Sequence, residues 1–540
     1  MNRLFQLAMI ALAGLFIFCA ASVRIRNLED RAPHADESEQ AFTAARLVQD
    51  GEYSYNPRGP HGPILYYWAA SVLSGKDACD IDMPLLRKTL LPVFFATLAL
   101  LFAAPLYSKN EKSLYQNRCR GLVEARFGQS AKFAFAAAAV GFLCASSLSS
   151  IYSTYFVHEC FFAFFGLGLC LTGERFFKSP TLVNSAALGT LAGMLQTAKE
   201  TSVIAFASLI AAWIVCDVSS SEYRAKLARF LKTRGAVGIL KTALCAAGAA
   251  AFVYTVFYSS FGANPDGILD GVKSYFIHFF GKSESAAHAK GFFYYFKLLA
   301  GFKSQGAVFG ESAIFALSIC GGVCAFALKN RLVKYAFTFG LANVLIMSAI
   351  AYKTPWLLLL PTTALCLPAG YAVSVMLFSR LKNRGVFANA AASAAGMILI
   401  FLLASLQIKE QKNAAVFYKC DPRNPMIYVH TLKSEEALVK RIYDCAKVAD
   451  ESFRVLVLTK NSPWPLPWQL LKLNAADFKS GVDNSDDLSK YSIVVFDAPF
   501  DEFFKDKLPP DKFLEEYFGL RENLLLRARV RRDIFEKSIR

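Results

Sequence analysis

Long, uninterrupted apolar runs are the feature of this 540-residue chain that most restricts its fold. The first run, LFQLAMIALAGLFIFCAASV, covers residues 4–23, and runs of about 17–22 residues recur over the first four hundred positions. An apolar stretch of that length matches the hydrocarbon core of a bilayer. Hydrophobic residues make up 55% of the chain and charged residues only 19%, whereas a soluble protein carries more charge. The sequence therefore predicts a polytopic α-helical membrane protein.

We predict about eleven transmembrane helices from these runs. They cover residues 4–23, 88–107, 131–150, 160–176, 181–198, 201–217, 238–260, 310–328, 335–351, 356–378 and 386–407. The first run could instead be a signal peptide. Its apolar stretch is longer than the core of a usual signal, and this favours an uncleaved anchor.

The basic residues set the predicted orientation. The net charge is +17, and Lys and Arg concentrate in loops such as KNEKSLYQNRCRGLVEARFGQSAK (109–132) and SSSEYRAKLARFLKTRG (219–235). With the amino terminus inside, these loops return to the cytoplasm, as the positive-inside rule requires. The distribution argues against nucleic-acid binding and predicts a protein of the cytoplasmic (inner) membrane. The extracytoplasmic side then receives 24–87, 153–159, the Lys199–Glu200 turn, 261–309, 352–356 and the tail after 407.

The chain changes character after residue 407. We predict a membrane domain over 1–407 and a small extracytoplasmic α/β domain over 408–540. Cys420 and Cys445 of the second domain could pair, and the sequence leaves this open. The other cysteines lie mostly in apolar runs, where they behave as small hydrophobes.

Short apolar segments predict the core of this second domain. The predicted strands are 425–431, 454–459 and 491–499, with a helix at 434–450 between the first two. Strand, helix and strand in this order predict a right-handed crossover and a small parallel sheet. No glycine-rich turn follows the first strand, so nucleotide binding is not supported.

Two adjacent carboxylates, Asp36 and Glu37, follow the first apolar run almost at once. One interpretation is a helix start in which Asp36 and Glu39 form a capping box and Gly51 ends the helix. Glu37 would then be a surface charge. The other interpretation is catalysis, which capping does not exclude because a capped residue is held rigidly.

Further charged and aromatic residues lie at the ends of other apolar runs on the same predicted side. They are Arg58 and His61 in YNPRGPHGPILYYW (55–68), His158 and Glu159 in STYFVHE (153–159), Lys199 and Glu200 in QTAKET (196–201), and Tyr352, Lys353 and Trp356 in YKTPW (352–356). Each alone is explained as an interfacial anchor. Acids and bases from four distant segments on one face predict a shared site.

Two further segments have alternative interpretations. The loop 274–303 interleaves aromatic residues with Lys and His, and it could gate a lipid chain or be an ordinary interfacial helix. Trp464 and Trp468 could stack on a sugar, although a packing contact between the tail and the membrane domain is favoured.

Together these motifs resemble a bacterial and archaeal family related to the dolichyl-phosphate-mannose–protein mannosyltransferases, in the GT-C superfamily of membrane glycosyltransferases. The family is sometimes described as flippase-activity-associated. The motifs that carry the resemblance are HADE at 34–37, PHGPILYY at 60–67, KE at 199–200, KTPWL at 353–357 and PWPLPWQLL at 463–471. Two positions depart from the family pattern: the 153–159 turn lacks the expected Arg, and Tyr352 replaces an acid before Lys353.

The resemblance implies a GT-C type glycosyltransferase that moves a hexose from a polyprenyl-phosphate-linked donor to a glycan, lipid or protein acceptor. The reaction would take place at the outer face of the membrane. The role of catalytic base falls on Asp36 or Glu37, and the second acidic position falls on Glu159. Candidates for the donor phosphate are Arg58, His61, Lys199 and Lys353, and candidates for the acceptor or sugar are His34, His158, Glu200, Tyr352 and Trp356.

This scheme requires no cofactor, because the lysines can balance the phosphate. Some members of the superfamily use a divalent ion with their acidic pair, so Mg²⁺ or Mn²⁺ is left open at Asp36, Glu37 and Glu159.

Two rival hypotheses are a lipid-linked sugar transporter (flippase) and a non-catalytic scaffold subunit. Transporters usually place polar residues near the bilayer midplane and repeat one half in the other. This sequence shows no internal repeat, and its charges cluster at one surface. The departures at Tyr352 and in the 153–159 turn keep the scaffold hypothesis open.

Overall fold

The computed structural model describes residues 2–59, 61–77, 80–107, 123–125, 128–283, 288–381, 385–483 and 487–539. Within these ranges, seven helices are long and apolar enough to cross a membrane. They are Arg3–Glu29, Met83–Tyr107, Glu159–Lys178, Gly235–Tyr258, Arg331–Ala349, Pro355–Phe378 and Val386–Phe417. The chain is an integral membrane protein, as the apolar runs predict.

The membrane part consists of helices in close succession. They are α1 (Asn2–Glu29), α2 (Ala35–Asp50), α3 (Ile64–Val72), α4 (Met83–Lys88), α5 (Leu91–Tyr107), α6 (Gln129–Ala145), α7 (Ser147–Tyr152), α8 (Glu159–Lys178), α9 (Leu182–Ala198), α10 (Ser202–Trp213), α11 (Ser221–Tyr258), α12 (Gly267–Ser283), α13 (Tyr294–Ala300), α14 (Ser312–Ala327), α15 (Arg331–Ala349), α16 (Leu359–Phe378) and α17 (Val386–Lys412). Four short strands accompany them: β1 (Val123–Ala125), β2 (Phe302–Ser304), β3 (Ala307–Phe309) and β4 (Ser379–Leu381). Strand β1 pairs with β4, and β2 pairs with β3, both antiparallel.

Each predicted span falls on helical structure, and all but 131–150 coincide with a single main helix. Seven spans coincide with the long apolar helices, and the other four coincide with the shorter helices α6, α9, α10 and α14. The predicted count of eleven crossings goes beyond the seven long helices and stays a prediction. Helix α17 continues as a π-helix to Phe417, past the predicted domain boundary at 407, and that boundary also stays a prediction.

The predicted span 131–150 is broken at Ser146, which has an extended backbone between α6 and α7. The Ser146 hydroxyl accepts a hydrogen bond from the amide of Ser149 and donates one to the buried carboxylate of Glu311 (2.7 Å). Serine competes with the helix for backbone hydrogen bonds, and here it caps a new helix in a different direction. The break turns α7 toward the 153–159 turn.

Helix α16 forms the centre of the bundle, and its most apolar stretch is completely buried. It packs against α6, α8, α14 and α15. Gly321 of α14 allows this close approach, because a Cβ atom there would overlap the backbone carbonyl of Pro368 in α16. By contrast, the apolar stretches of α11 and α17 are almost wholly exposed, as expected for helices that face lipid.

The carboxyl-terminal part contains α18 (Ser434–Val448), β5 (Val455–Leu458), α19 (Leu466–Gln469), β6 (Ala476–Lys479), β7 (Ile493–Asp497), α20 (Asp501–Phe504), β8 (Phe513–Arg521), β9 (Leu524–Arg531) and α21 (Arg532–Ser538). The strands form one five-stranded sheet in the order β6-β5-β7-β9-β8. Strand β5 runs parallel to β6 and β7, whereas β9 runs antiparallel to β7 and β8. The sheet is therefore mixed, and the prediction of a purely parallel sheet is wrong.

The first predicted strand, 425–431, is also wrong, because this segment pairs with no strand. Side chains of the membrane part use its backbone carbonyls instead. The Tyr152 hydroxyl donates to the carbonyl of Met426 (2.5 Å), and the Nε2 atom of His34 donates to that of Tyr428 (2.6 Å). Met426 and Ile427 of this segment pack on the membrane part, so the segment connects it to the part that contains the sheet.

The packing of the tail shows the contacts of the two tryptophans and the state of Cys420 and Cys445. Trp468 is buried in the core of the membrane part, and the Trp464 ring contacts Phe42 of α2 with 5.9 Å between ring centroids. Both tryptophans therefore fasten the tail to the membrane part, as the favoured interpretation predicts. Cys420 and Cys445 are both free thiols, and Cys445 is buried in the apolar core of the sheet domain.

We expect Gly321→Ala to lower the stability of the protein, because the added methyl group overlaps backbone that cannot rotate away. Overpacking of this kind costs about 1–3 kcal/mol. The matched control is Gly248→Ala in α11, where a Cβ atom meets nothing within 4 Å. The control is expected to be neutral or stabilising by up to about 1 kcal/mol, since Ala favours helix. Apparent melting temperatures in detergent measure both, and equal values for the two variants would contradict the packing described.

Candidate active site

The two adjacent carboxylates lie in the first turn of α2, and the helix begins two residues earlier than the capping-box interpretation predicts. The capping residue is His34, whose Nδ1 atom accepts from the amide of Asp36 (3.0 Å). The Glu37 side chain completes the box by accepting from the amide of His34 (3.0 Å). The predicted Asp36–Glu39 box is therefore wrong, whereas Gly51 ends the helix in a left-handed conformation, as predicted.

Glu37 is completely buried and not the surface charge of the helix-start interpretation. Its carboxylate accepts from Arg87 through Nε and Nη2 (both 2.8 Å) and from Nη2 of Arg31 (3.1 Å). The backbone amide of Phe156, in the 153–159 turn, donates to it as well (2.9 Å). Burial by itself raises the pKa of Glu37, but Arg87 and Arg31 outweigh it and lower the pKa to about 2. Glu37 is thus an ionised anchor whose oxygen atoms are fully engaged.

Asp36 differs from its neighbour because half of its side chain is exposed. It lies near Arg521 of β8, in the tail. Burial lowers the pKa of Arg521, and the negative charge of Asp36 raises that pKa again in part. Burial, with smaller contributions from the carboxylates of Asp36 and Glu159, raises the pKa of Tyr352 to about 12. The two carboxylates therefore act on the same phenol, although 123 positions of the chain separate them.

Glu159 begins α8, and Lys199 follows the end of α9. The two side chains form a buried ion pair with 2.5 Å between Nζ and Oε1. The Lys199 ammonium also lies 5.9 Å from the centre of the Trp356 ring, within the range of a cation–π interaction. The carboxylate holds the ammonium at a fixed position.

A cavity of about 170 Å³ opens beside this ion pair. Four of the predicted site residues line it, together with two residues of α12 and an apolar wall from α10, α15 and the segment after α15. The lining residues are His61, Lys199, Glu200, Thr201, Val203, Ile204, Tyr275, His278, Met347, Ile350, Tyr352 and Leu357. The cavity thus combines a charged end with an apolar side, as an amphiphilic anion requires.

The remaining phosphate candidates lie elsewhere. Lys353 is buried, but its ammonium donates to the backbone carbonyls of Lys290 (3.0 Å) and Ile350, and it does not line the cavity. Its backbone amide donates to the carbonyl of His288, so the segment 352–356 is bound to the end of the loop that follows α12. Arg58 lies exposed on a turn.

The candidates for sugar or acceptor fall into two places. Glu200 and Tyr352 line the cavity, whereas His34 and Trp356 form an aromatic cluster with Tyr428 of the tail. The Trp356 ring lies 5.2 Å from that of Tyr428 and 6.2 Å from that of His34. Because the Nδ1 atom of His34 accepts a hydrogen bond, the proton is on Nε2, which donates to the tail.

His158 is completely buried, and its Nε2 atom donates to the carbonyl of Gly62 (2.7 Å). Burial, with a smaller contribution from His61, lowers the pKa of His158 to about 3. The ring is therefore neutral at physiological pH and serves as a structural contact.

Sequence reasoning missed three residues of this region: Tyr275 and His278 of α12, and Tyr428 of the connecting segment. The sequence indicates Tyr275 and His278 only as members of the loop 274–303, which is rich in aromatic residues, Lys and His. The sequence predicts a strand at Tyr428, and nothing in the sequence indicates its contact with Trp356.

Among the described residues, no group of three His, Cys, Asp or Glu side chains is arranged to hold a metal ion. The acidic residues left open for Mg²⁺ or Mn²⁺ also do not fit one together, because Glu37 is saturated by two arginines and two backbone amides. We derive no step through a metal ion.

The fold is similar to that of ArnT from Cupriavidus metallidurans. The structure of ArnT bound to undecaprenyl phosphate aligns with a TM-score of 0.57 and 12% identity, covering 95% of this chain and 97% of that chain. The apo state of ArnT gives the same TM-score and identity over 96% and 98%. Arabinosyltransferase EmbB from Mycobacterium smegmatis reaches a TM-score of only 0.39, with 14% identity over 77% of this chain and 40% of its own, and bears no weight here.

The chain therefore has an ArnT-like fold, in which apolar helices precede a small mixed sheet. No family model matches the sequence. No curated protein matches it significantly either. The resemblance to the mannosyltransferase-related family stays a prediction, and an identity of 12% establishes the fold alone.

We expect Glu37→Gln to destabilise the protein strongly and Asp36→Asn to leave its stability unchanged. The first change leaves two buried guanidinium groups without their carboxylate, which costs about 3–5 kcal/mol. The second neutralises a half-exposed side chain on the same helix. Apparent melting temperatures and recovery of monodisperse protein in detergent measure the difference, and equal behaviour of the two variants would contradict the distinct roles described.

Proposed function

We propose that the chain is a polyprenyl-phosphate-sugar-dependent glycosyltransferase of the GT-C type. The observation that carries the proposal is the cavity whose charged end contains Lys199 and His61 and whose side is apolar. The ArnT-like fold supports it, because ArnT was solved with undecaprenyl phosphate bound. The transfer would move a hexose to a glycan, lipid or protein acceptor.

The apolar side of the cavity continues along α10 as an exposed stripe, and we propose that the lipid chain binds there. Val203, Ile210 and Ile214 lie on one stripe of α10 and its continuation, and each is about half exposed. Such a stripe suits contact with acyl or isoprenoid chains. A polyprenyl tail would follow this stripe into the bilayer while its phosphate remains at Lys199.

Asp36 is the proposed base, because its carboxylate is accessible and that of Glu37 is not. The acceptor oxygen attacks the anomeric carbon, and the bond from that carbon to the phosphate oxygen breaks. The bonding electron pair stays with the phosphate, and the acceptor proton passes to Asp36. Glu159 holds Lys199 where the leaving phosphate gains negative charge.

The extracytoplasmic location of the site and of the tail is part of the proposal. The 153–159 turn, the Lys199–Glu200 turn and the 352–356 segment, which the charge pattern assigns to one side, lie around a single site. Basic residues such as Arg175 and Lys178 lie at the other end of α8. The positive-inside rule supports placing that end in the cytoplasm.

Purified protein is expected to consume undecaprenyl-phosphate-linked hexose and release undecaprenyl phosphate. Asp36→Asn is expected to slow turnover about 10²–10⁴-fold, the usual contribution of a general base. Asp50→Asn, an exposed change on the same helix, is the matched control and should retain full activity. Chromatography of labelled lipid with mannose, glucose and galactose donors gives the rates.

Two outcomes would contradict the proposal. Full activity of the Asp36→Asn variant would remove the proposed base. Absence of turnover with all donors and with lipid extract as acceptor would favour the flippase or scaffold hypothesis. Mass spectrometry of lipid that co-purifies with the protein would identify the donor directly.

A further inference from the structure

The Glu200 carboxylate lies between two imidazole rings at the charged end of the cavity. The Nδ1 atom of His61 donates to Oε2 of Glu200 (2.9 Å), and the Nε2 atom of His278 lies 3.9 Å from Oε1. The centres of the two rings are 6.1 Å apart. Burial by itself raises the pKa of Glu200, but His61 and His278 outweigh it and hold that pKa well below its usual range. The carboxylate is therefore ionised.

His61 is held firmly in this position. Its backbone φ angle is +26°, a conformation that residues other than glycine rarely adopt. The next residue, Gly62, approaches the backbone of Thr197 and Ala198 so closely that a Cβ atom there would overlap the carbonyl of Thr197. Strain that the surrounding structure maintains often marks a functional position. Here it points the imidazole at Glu200.

His278 reaches the cavity from the other side, on helix α12. The opposite face of this helix exposes Leu269, Val272 and Phe276, spaced as one stripe, so α12 has the pattern of an interfacial helix. Tyr275, next to the inward face, lies 3.1 Å from the hydroxyl of Ser202 at the start of α10. The helix therefore lines the cavity through Tyr275 and His278 and leaves an apolar stripe exposed.

Charge counting shows why the two histidines matter for an anion. The charged side chains that line the cavity are Lys199 and Glu200, and Glu159 is paired with Lys199; Asp36 and Lys353 do not line it. With neutral imidazoles the described groups sum to one negative charge, which repels a phosphate. With both imidazoles protonated they sum to one positive charge. A buried anion needs compensating charge, so the protonated state is the one suited to bind phosphate.

The other titratable groups around the pair do not change this sum near neutral pH. His158 is neutral, since burial lowers its pKa to about 3. Burial raises the pKa of the neighbouring phenols outside the transmembrane helices, which are Tyr53, Tyr55, Tyr66, Tyr275 and Tyr352. Tyr254 and Tyr258 of α11 also face this group.

We infer that His61 and His278, joined through Glu200, form the proton-dependent half of the donor phosphate site, with Lys199 as its permanent half. This inference rests on the proposed function and adds His278 as a binding residue. Binding of the phosphodiester is then coupled to proton uptake. The affinity is high where the imidazoles are protonated and falls as the pH rises and they lose their protons.

The test uses farnesyl methyl phosphate, an isoprenoid phosphodiester with one negative charge at every pH of interest. Its dissociation constant for the full-length protein in detergent is measured by calorimetry from about pH 6 to pH 8, across the histidine range. Two buffers of different ionisation enthalpy count the protons taken up. We expect binding about tenfold weaker or more at the high end, with uptake of about one proton there.

Three variants separate an ionic role from a structural one. His278→Gln and His61→Gln keep a hydrogen-bonding side chain without the charge, and they should bind weakly at the low end and lose most of the pH dependence. Glu200→Gln removes the negative charge and should bind more tightly than wild type at the high end, with a flatter pH profile. The matched control is His430→Gln, a buried histidine of the tail outside the cavity, which should keep the wild-type slope.

The outcomes distinguish the inference from the function on which it rests. Tight binding without pH dependence, or an unchanged slope in both histidine variants, would overturn the proton-dependent site and leave the glycosyltransferase proposal standing. No binding of the phosphodiester at any pH would overturn both. If one histidine variant fails to fold, the other and Glu200→Gln give the same discrimination.

Discussion

The buried ion pair between Glu37 and Arg87 is the interaction on which the rest of the site depends. Arg87 belongs to α4, and it also donates to the carbonyl of Leu28 near the end of α1. Glu37 binds the amide of Phe156 in the turn before α8. One carboxylate therefore fixes the first transmembrane helix, α2 and the 153–159 turn relative to one another. Replacing both charges by apolar groups could be neutral, but losing one partner is costly.

From that anchor, three acidic residues acquire three different environments. Glu37 is saturated by arginines, Glu159 is paired with Lys199, and Asp36 is half exposed. A carboxylate that must accept a proton needs free lone pairs and access to the substrate. Of these three, only Asp36 has an accessible carboxylate, and for this reason it is the proposed base. Position along one helix thus separates a buried structural acid from the accessible acid that we propose as the base.

Much of this arrangement could be predicted from the sequence, because apolar run length is a local property. Hydropathy predicts every long helix, and the alternation of basic loops predicts one common side for His61, Lys199, Glu200 and Tyr352, which all line the cavity. What failed depends on distant partners. Glu37 looked exposed because its partner Arg87 is 50 positions away. The 425–431 segment has strand-like composition, but its carbonyls are used by Tyr152 and His34. The role of His278 depends on the position of Glu200. By contrast, β9 alternates buried and partly exposed residues, and this local pattern predicts a strand from the sequence alone.

The central claim is that distant charged segments create one phosphate site beside an apolar path. Cryo-electron microscopy of the protein with undecaprenyl phosphate tests it most directly. The account predicts phosphate density within hydrogen-bonding distance of Lys199 and His61, with the isoprenoid chain along Val203 of α10. Density instead at the opposite end of the bundle, in the groove lined by Arg175 and Lys178, would contradict it.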